Sequence, residues 1–173
     1  MLIKFSVNNY RGFADKIEWD LSHPSNYSFN QNAIKDNILK NGIIYGPNGA
    51  GKSNLGLAVF DIANHLSHKW KKPDYYLNYA SAYNYNQPVN FEYVFKFEDD
   101  TILYKYSKVA KELKGELVKE QLFLNEKELF YNDAGTLRLN KDFALTDMAI
   151  DSVRNSANNI SIVNYLLSVV PFP

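Results

Sequence analysis

One stretch of eleven residues constrains this chain more than any other: YGPNGAGKSNL, from Tyr45 to Leu55. It has glycines at positions 46, 49 and 51, directly before a lysine and between two apolar runs. Glycine adopts left-handed backbone conformations that other residues avoid, so this composition is typical of a tightly wrapped loop. The spacing matches G-x-x-x-x-G-K-[ST], the pattern of a phosphate-binding loop.

The flanks of the loop agree with this interpretation. GIIYG, which leads into it, predicts a short buried strand, because it is apolar and too short for a helix. After Lys52 the apolar residues recur at intervals of three and four, which predicts a helix from 52 to about 69. Strand, glycine loop and amphipathic helix in this order are the context that the phosphate-loop motif requires.

The motif predicts a separate role in phosphate and metal binding for its backbone amides, its lysine and its serine. Successive backbone N–H groups would point at the phosphates, and the start of the following helix would add its partial positive charge. Lys52 would reach the β- and γ-phosphates, and the hydroxyl of Ser53 would bind Mg²⁺, so ATP and Mg²⁺ are the expected ligands. The predicted phosphate-contacting residues are Gly46, Asn48, Gly49, Ala50, Gly51, Lys52, Ser53 and Asn54, with Ser53 also the metal ligand.

Elsewhere alternating apolar residues predict strands. LIKFSVN and KIEWDLS predict an antiparallel pair, and VNFEYVFKFEDDTILYKYSKV predicts a hairpin that turns at residues 98–100. GELVKEQLFLNEKELFYN predicts further paired strands with a turn near NEKE. TDMAIDSVRNSANNISIVNYLLSVV predicts helical segments, the first of them capped by Thr146.

Composition narrows the function classes. The 173 residues include 19 basic and 19 acidic ones, so the net charge is zero and no global field favours nucleic acid as a partner. There is no cysteine, which fits a reducing compartment and predicts a cytoplasmic location. The first residues lack a secretory leader pattern, and no apolar run approaches the roughly 18 residues of a membrane span, so a membrane partner is not expected.

Three segments together carry a family resemblance: IKFSVNNYRGF, IIYGPNGAGKSNL and PVNFEYVFKF. They resemble the N-terminal lobe of ABC-type ATPase heads of the SMC/RecF/OLD kind. More narrowly, they are similar to the bacterial AAA-domain, OLD-like ATPases often found in phage-defence and abortive-infection loci. The resemblance covers most of residues 1–165.

The resemblance implies a fold. It is an α/β P-loop NTPase fold, lobe I of an ABC-type head, with an antiparallel β subdomain beside a partly parallel core. The implied domain is incomplete and would continue in a longer protein. Within it, residues 1–72 would hold the first strands, the loop and the first helix, residues 73–140 a connection and the antiparallel subdomain, and residues 141–173 the start of a helical region.

The resemblance also implies partners and an activity. In this family the arginine of the NNYRGF element lies near the nucleotide, which makes Arg11 a further candidate contact. ATP would bind between two such heads in a homodimer, and hydrolysis would drive an attached or partner effector, which in OLD-type relatives is often a nuclease. A role in antiviral defence follows from the resemblance only.

The hydrolytic parts of this family do not occur in the sequence. YVFKFEDD imitates the acidic Walker B motif, but Lys96 interrupts it, and a signature loop is absent. We therefore assign no catalytic residue and expect this chain alone to bind ATP with little or no turnover, although the full-length protein would be an ATPase. The rival interpretation is a non-catalytic nucleotide-sensing module; a small kinase is disfavoured because the chain has only three arginines.

Overall fold

The computed structural model describes residues 1–25, 28–67, 73–141 and 161–169. None of the helices within these ranges is long and apolar enough to cross a membrane, and the cytoplasmic location stays a prediction. The helices are α1 (Lys52–Val59), α2 (Asp61–His65) and α3 (Ile162–Val169), with short 3-10 turns at Gln31–Ala33, Pro73–Tyr76 and Ala82–Asn84. The strands are β1 (Leu2–Asn8), β2 (Ile17–Asp20), β3 (Ile34–Lys35), β4 (Ile38–Leu39), β5 (Val89–Phe97), β6 (Asp100–Lys111), β7 (Lys114–Leu124), β8 (Lys127–Asp133) and β9 (Thr136–Leu139).

Seven strands form one sheet in the order β2-β1-β5-β6-β7-β8-β9, and β3 and β4 form a separate two-stranded ribbon. Every neighbouring pair in the large sheet is antiparallel. The predicted pairing of the first two strands is confirmed, and so are the β5–β6 hairpin and the β7–β8 pair. Local alternation and turn residues were sufficient to predict these pairs because consecutive strands lie next to each other.

The predicted α/β P-loop NTPase fold, lobe I of an ABC-type head with a partly parallel core, is wrong for the described residues, which form a mainly antiparallel sheet with few helices. A parallel neighbour requires a crossover that brings the chain back in the same direction. Here the chain leaves α2, passes through residues 73–88 and returns as β5, which runs antiparallel beside β1 with Tyr93 opposite Phe5. Helices α1 and α2 therefore lie in a connection between antiparallel strands.

The buried strand predicted for GIIYG is also wrong. Residues 41–46 form no strand, and the side chains of Ile43 and Tyr45 are 91% and 90% exposed. A buried central strand needs hydrogen-bonded neighbours on both sides, and the positions beside β1 are filled by β2 and β5. The apolar run before the glycine loop therefore lies outside the sheet.

The core lies on one face of the sheet, where α1, α2 and the segment 73–79 cover it. Alternate side chains of β1, β5 and β6 point into it, as the strand period requires. Tyr93 also donates a hydrogen bond of 2.9 Å from its hydroxyl to the carbonyl oxygen of Ala58 in α1. The buried strand residues of this core include Phe5, Val7, Val89, Phe91, Tyr93, Tyr104 and Tyr106.

The helix predicted from 52 to about 69 begins at Lys52 as expected, but it is interrupted at Phe60. Its second part ends at His65, and residues 68 and 69 lie outside the described residues. Strands from the predicted spans 1–72 and 73–140 pair within one sheet, and the proposed division of the chain into these spans stays a prediction.

The C-terminal helix α3 is fixed by a buried carboxylate. Glu120 of β7 is 0% exposed and accepts hydrogen bonds from the Ile162 amide (2.7 Å) and the Ser161 hydroxyl (2.6 Å). A carboxylate at this position satisfies N–H groups that a helix start leaves unpaired. Helix α3 falls within the predicted helical region, whereas the helix predicted to begin at Thr146 lies outside the described residues.

Helix α2 is joined to β6 by His65. The His65 ring stacks on Tyr106 with ring centroids 4.0 Å apart, and its Nε2 lies 2.7 Å from the Tyr104 hydroxyl oxygen. Loss of water around the ring, together with the nearby ammonium of Lys108, lowers the pKa of His65 well below its usual value. The imidazole therefore stays neutral in the folded protein at neutral pH.

We predict that acidification destabilises the fold through His65. Below about pH 6.5 the unfolded chain protonates this residue while the folded protein does not, so the free energy of unfolding falls as the pH falls. In urea unfolding between pH 7.5 and 5.5, the wild type should lose about 1 kcal/mol more than His65→Phe, which keeps a ring against Tyr106. The comparison isolates His65, because the raised pKa of Glu120 acts in the opposite direction in both proteins. Equal losses in the two proteins would contradict the prediction.

Candidate functional site

The predicted phosphate loop lies at the surface directly before α1. Residues 46–50 are exposed, and Gly49 and Gly51 have φ angles of 82° and 88°. These are left-handed conformations that favour glycine, so the two glycines turn the chain as the motif predicts. Gly51 then serves as the N-cap residue of α1, and no acidic residue lies in the first turn to neutralise the positive end of this helix.

Lys52 folds back over the loop. Its Nζ atom donates hydrogen bonds to the carbonyl oxygens of Gly46 (2.7 Å) and Pro47 (2.8 Å). The ammonium group thus lies against the first residues of the loop and helps to hold its shape. Ser53, the next residue, is exposed.

The NNYRGF element packs against the loop. A Cβ atom placed on Gly51 would lie 2.8 Å from Cε1 of Phe13, and one on Gly12 would lie 3.5 Å from Nδ2 of Asn54. Backbone hydrogen bonds between Tyr10 and Phe13 shape this turn. The two segments that carry the sharpest parts of the family resemblance are therefore neighbours in space.

Arg11 is directed at tyrosines within this neighbourhood. Its Nη2 donates a hydrogen bond to the backbone carbonyl oxygen of Tyr75 (2.9 Å), and its Nε donates one to the Tyr10 hydroxyl (3.2 Å). Its guanidinium carbon lies 5.5 Å from the ring centroid of Tyr10 and 5.5 Å from that of Tyr75. The residue has a φ of 50°, a left-handed conformation that is uncommon for arginine. Its contact with a nucleotide stays a prediction.

Beneath α1 and α2 lies a buried polar cluster that the sequence analysis missed. Asp61 of α2 is 0% exposed, and its Oδ1 accepts from the hydroxyls of Tyr75 (2.8 Å) and Tyr79 (3.1 Å). Its Oδ2 accepts from the Tyr106 hydroxyl (2.9 Å) and from Nζ of Lys108 (2.7 Å). We call these five residues the Asp61 cluster.

Electrostatics in the Asp61 cluster follow from its burial. Lys108 is only 3% exposed, and burial lowers its pKa, although the carboxylate of Asp61 opposes this shift. Burial raises the pKa of Tyr79 and Tyr106 well above the usual value, so both hydroxyls remain protonated and donate to Asp61. A signal was present in the sequence: Asp61 lies on the apolar helix stripe between Ala58 and Ile62, and Lys108 continues the alternation of β6.

Two cavities near the loop are lined by other residues. One of about 380 Å³ lies beside α1, and one of about 460 Å³ lies beside the β5–β6 turn. Neither of these two cavities is lined by any of residues 46–54, and residues 46–50 of the candidate site are exposed. Within the part of the chain that the structure describes, no group of three or more histidine, aspartate and glutamate side chains could hold a metal ion.

No protein-family model matches this chain, and no curated protein matches it in sequence.

We predict that Gly51→Ala destabilises the protein by about 2–3 kcal/mol in urea unfolding, because the added methyl group meets both a left-handed backbone and the Phe13 ring. Gly49→Ala, which has the same kind of backbone but open space around it, should cost about 1 kcal/mol. Gly56→Ala lies in α1 with nothing within 4 Å and should stabilise by about 0.5–1 kcal/mol. Equal effects at Gly49 and Gly51 would show that Phe13 does not pack against the loop.

Proposed function

We propose that residues 46–54 bind the phosphates of ATP together with Mg²⁺. The observation that carries this proposal is the placement of Lys52: its ammonium lies on the carbonyl oxygens of the loop at the start of a helix that is preceded by two left-handed glycines. Backbone amides at a helix start, the positive helix end and a lysine together form a site for a polyphosphate.

Each group in the loop has a role in this proposal. The N–H groups at the start of α1 donate to phosphate oxygens, because the first amides of a helix have no acceptor within the helix. Lys52 leaves the carbonyls of Gly46 and Pro47 and pairs with the β- and γ-phosphates. Ser53 supplies one oxygen to Mg²⁺, and the phosphates and water would complete the coordination, which is how proteins usually bind this ion.

We extend the proposal to the whole protein through the resemblance to the SMC/RecF/OLD ATPases. Nucleotide binding would bring two copies together, and hydrolysis in the full-length protein would control an attached or partner effector, such as a nuclease, with phage defence as its setting. No residue of this chain is assigned as the base that hydrolysis needs. A sensing module without catalysis uses the same Lys52 and is distinguished by the absence of turnover in the full-length protein.

We predict that calorimetric titration of ATP with Mg²⁺ detects binding to the wild type, and that Lys52→Ala weakens it roughly 10- to 100-fold. The reason is the loss of charge-assisted hydrogen bonds to the phosphates. Ser53→Ala should remove most of the difference between titrations with Mg²⁺ and with EDTA, because Ser53 is the protein's ligand to the ion. A phosphate-release assay on the wild type should show little or no turnover.

The matched control is Lys111→Ala, which removes a 65% exposed lysine at the β6–β7 turn. This variant should bind ATP like the wild type. Binding that is equally weakened by both substitutions would show a general effect of charge and would overturn the proposal. Lysine-dependent turnover would instead reveal catalytic groups in this chain.

A further inference from the structure

We propose that Asp61 is a positioning residue for the phosphate loop: its carboxylate fixes the helix behind the loop and the turn in front of it, so that Lys52 and the first amides of α1 meet the phosphates together. This inference rests on the proposed function. Asp61 does not touch the loop, and its effect on nucleotide binding would pass through α1 and through the NNYRGF element.

The first step is the hydrogen bonding of the carboxylate. Four donors converge on it from two parts of the chain, the segment 73–79 and strand β6, at distances of 2.7–3.1 Å. Both oxygens accept two bonds each. Because the four hydrogen bonds come from different directions, they fix both the position and the rotation of α2 relative to the sheet, which an apolar contact would not do.

The second step is the connection from α2 to the loop. Only Phe60 separates α2 from α1, and its amide continues the helical bonding with 3.1 Å to the carbonyl oxygen of Gly56. The Tyr93 hydroxyl holds the Ala58 carbonyl on the same side. Displacement of Asp61 therefore moves the C-terminal end of α1, and a helix of eight residues transmits this movement to Lys52 at its other end.

The third step is the connection from Asp61 to Phe13, the ring that packs on the loop. Tyr75, whose hydroxyl donates to Asp61, also lies 3.3 Å from the Tyr10 hydroxyl and accepts a hydrogen bond from Arg11 at its carbonyl. Tyr10 is bonded through its backbone to Phe13, which packs on Gly51. The Asp61 cluster thus supports both the helix that begins at the loop and the aromatic ring that presses on it.

The energetics favour positioning over stability as the reason for this charge. Buried ion pairs are often no more stabilising than apolar residues of similar volume, because desolvation offsets the attraction between the charges. Loss of one partner is costly, however, since it leaves the other charge buried alone. A carboxylate with four donors therefore fixes one position of α2, and through Phe60 it fixes the position of α1.

The test is Asp61→Asn, a substitution of nearly equal size whose amide cannot accept hydrogen bonds at both ends. Lys108 would lose its partner, and α2 would shift from β6. We expect ATP affinity in the calorimetric titration with Mg²⁺ to fall by about tenfold, the scale at which residues remote from a ligand modulate its binding.

The matched control is Glu120→Gln. Glu120, in strand β7, is another fully buried carboxylate. It accepts hydrogen bonds from the hydroxyls of Tyr104 and Ser161 and from the Ile162 amide at the start of α3, and none of these three donors belongs to α1 or the loop. It should lower the melting temperature, because it disturbs a buried hydrogen-bonded group, and leave ATP affinity within about twofold of the wild type. Equal losses of affinity in the two variants would show a merely structural role and would overturn the inference.

Tyr79→Phe decides the matter if Asp61→Asn does not fold. It removes one hydroxyl donor to Asp61 and keeps the ring, and it should weaken ATP binding about two- to threefold. The control Ser161→Ala removes one hydroxyl donor to Glu120 and should leave ATP binding unchanged. ATP binding that depends on Lys52 and keeps its wild-type affinity in Asp61→Asn and Tyr79→Phe would overturn this inference alone. Wild-type binding that is absent, or that is unaffected by Lys52→Ala, would overturn the proposed function and this inference with it.

Discussion

The carboxylate of Asp61 is the interaction on which the arrangement of the described residues depends. It is 0% exposed, and an isolated ion at such a position would cost several kcal/mol. The charge is tolerated because three tyrosine hydroxyls and the Lys108 ammonium reach it together. Helix α2, strand β6 and the segment 73–79 must therefore all be in place before any one of them is satisfied, which makes this part of the fold cooperative.

The same requirement explains why so much of the core is tyrosine rather than phenylalanine. Tyr93, Tyr104 and Tyr106 fill the core with their rings, and their hydroxyls bond to the Ala58 carbonyl, to Glu120 and to Asp61 respectively. Each acceptor belongs to, or fixes, a helix that covers the sheet. The tyrosines thus supply both the apolar volume and the polar partners, and this leaves few buried groups of the described core without a hydrogen bond.

The sequence predicted what is encoded locally. The hairpins followed from alternation and turn residues, and the loop followed from glycines whose left-handed conformations need no distant partner. The strand assignment of GIIYG failed because strand pairing is decided by distant residues: β1 pairs with β2 and β5, and the apolar run itself does not show this. The Asp61–Lys108 pair could be suspected from charged residues on apolar stripes, but its partners lie 47 positions apart and a single sequence does not reveal their pairing.

The geometry of Lys52 bears on how the loop could bind a ligand. Its ammonium already makes two short hydrogen bonds to carbonyl oxygens, so the loop holds its shape from its own atoms. Phosphate binding would then be an exchange, in which anionic oxygens replace neutral carbonyls as acceptors. Hydrogen bonds between two charged groups are stronger than those to a neutral acceptor, which favours the exchange. The gain depends on the ammonium and the helix amides reaching the phosphates in one arrangement, because a shift of about 1 Å can remove much of it. Once Lys52 leaves the carbonyl oxygens of Gly46 and Pro47, the loop loses the two bonds that hold its shape. Its contacts with α1 and with Phe13 then have to keep the ammonium and the helix amides in place, so they matter as much as the motif itself.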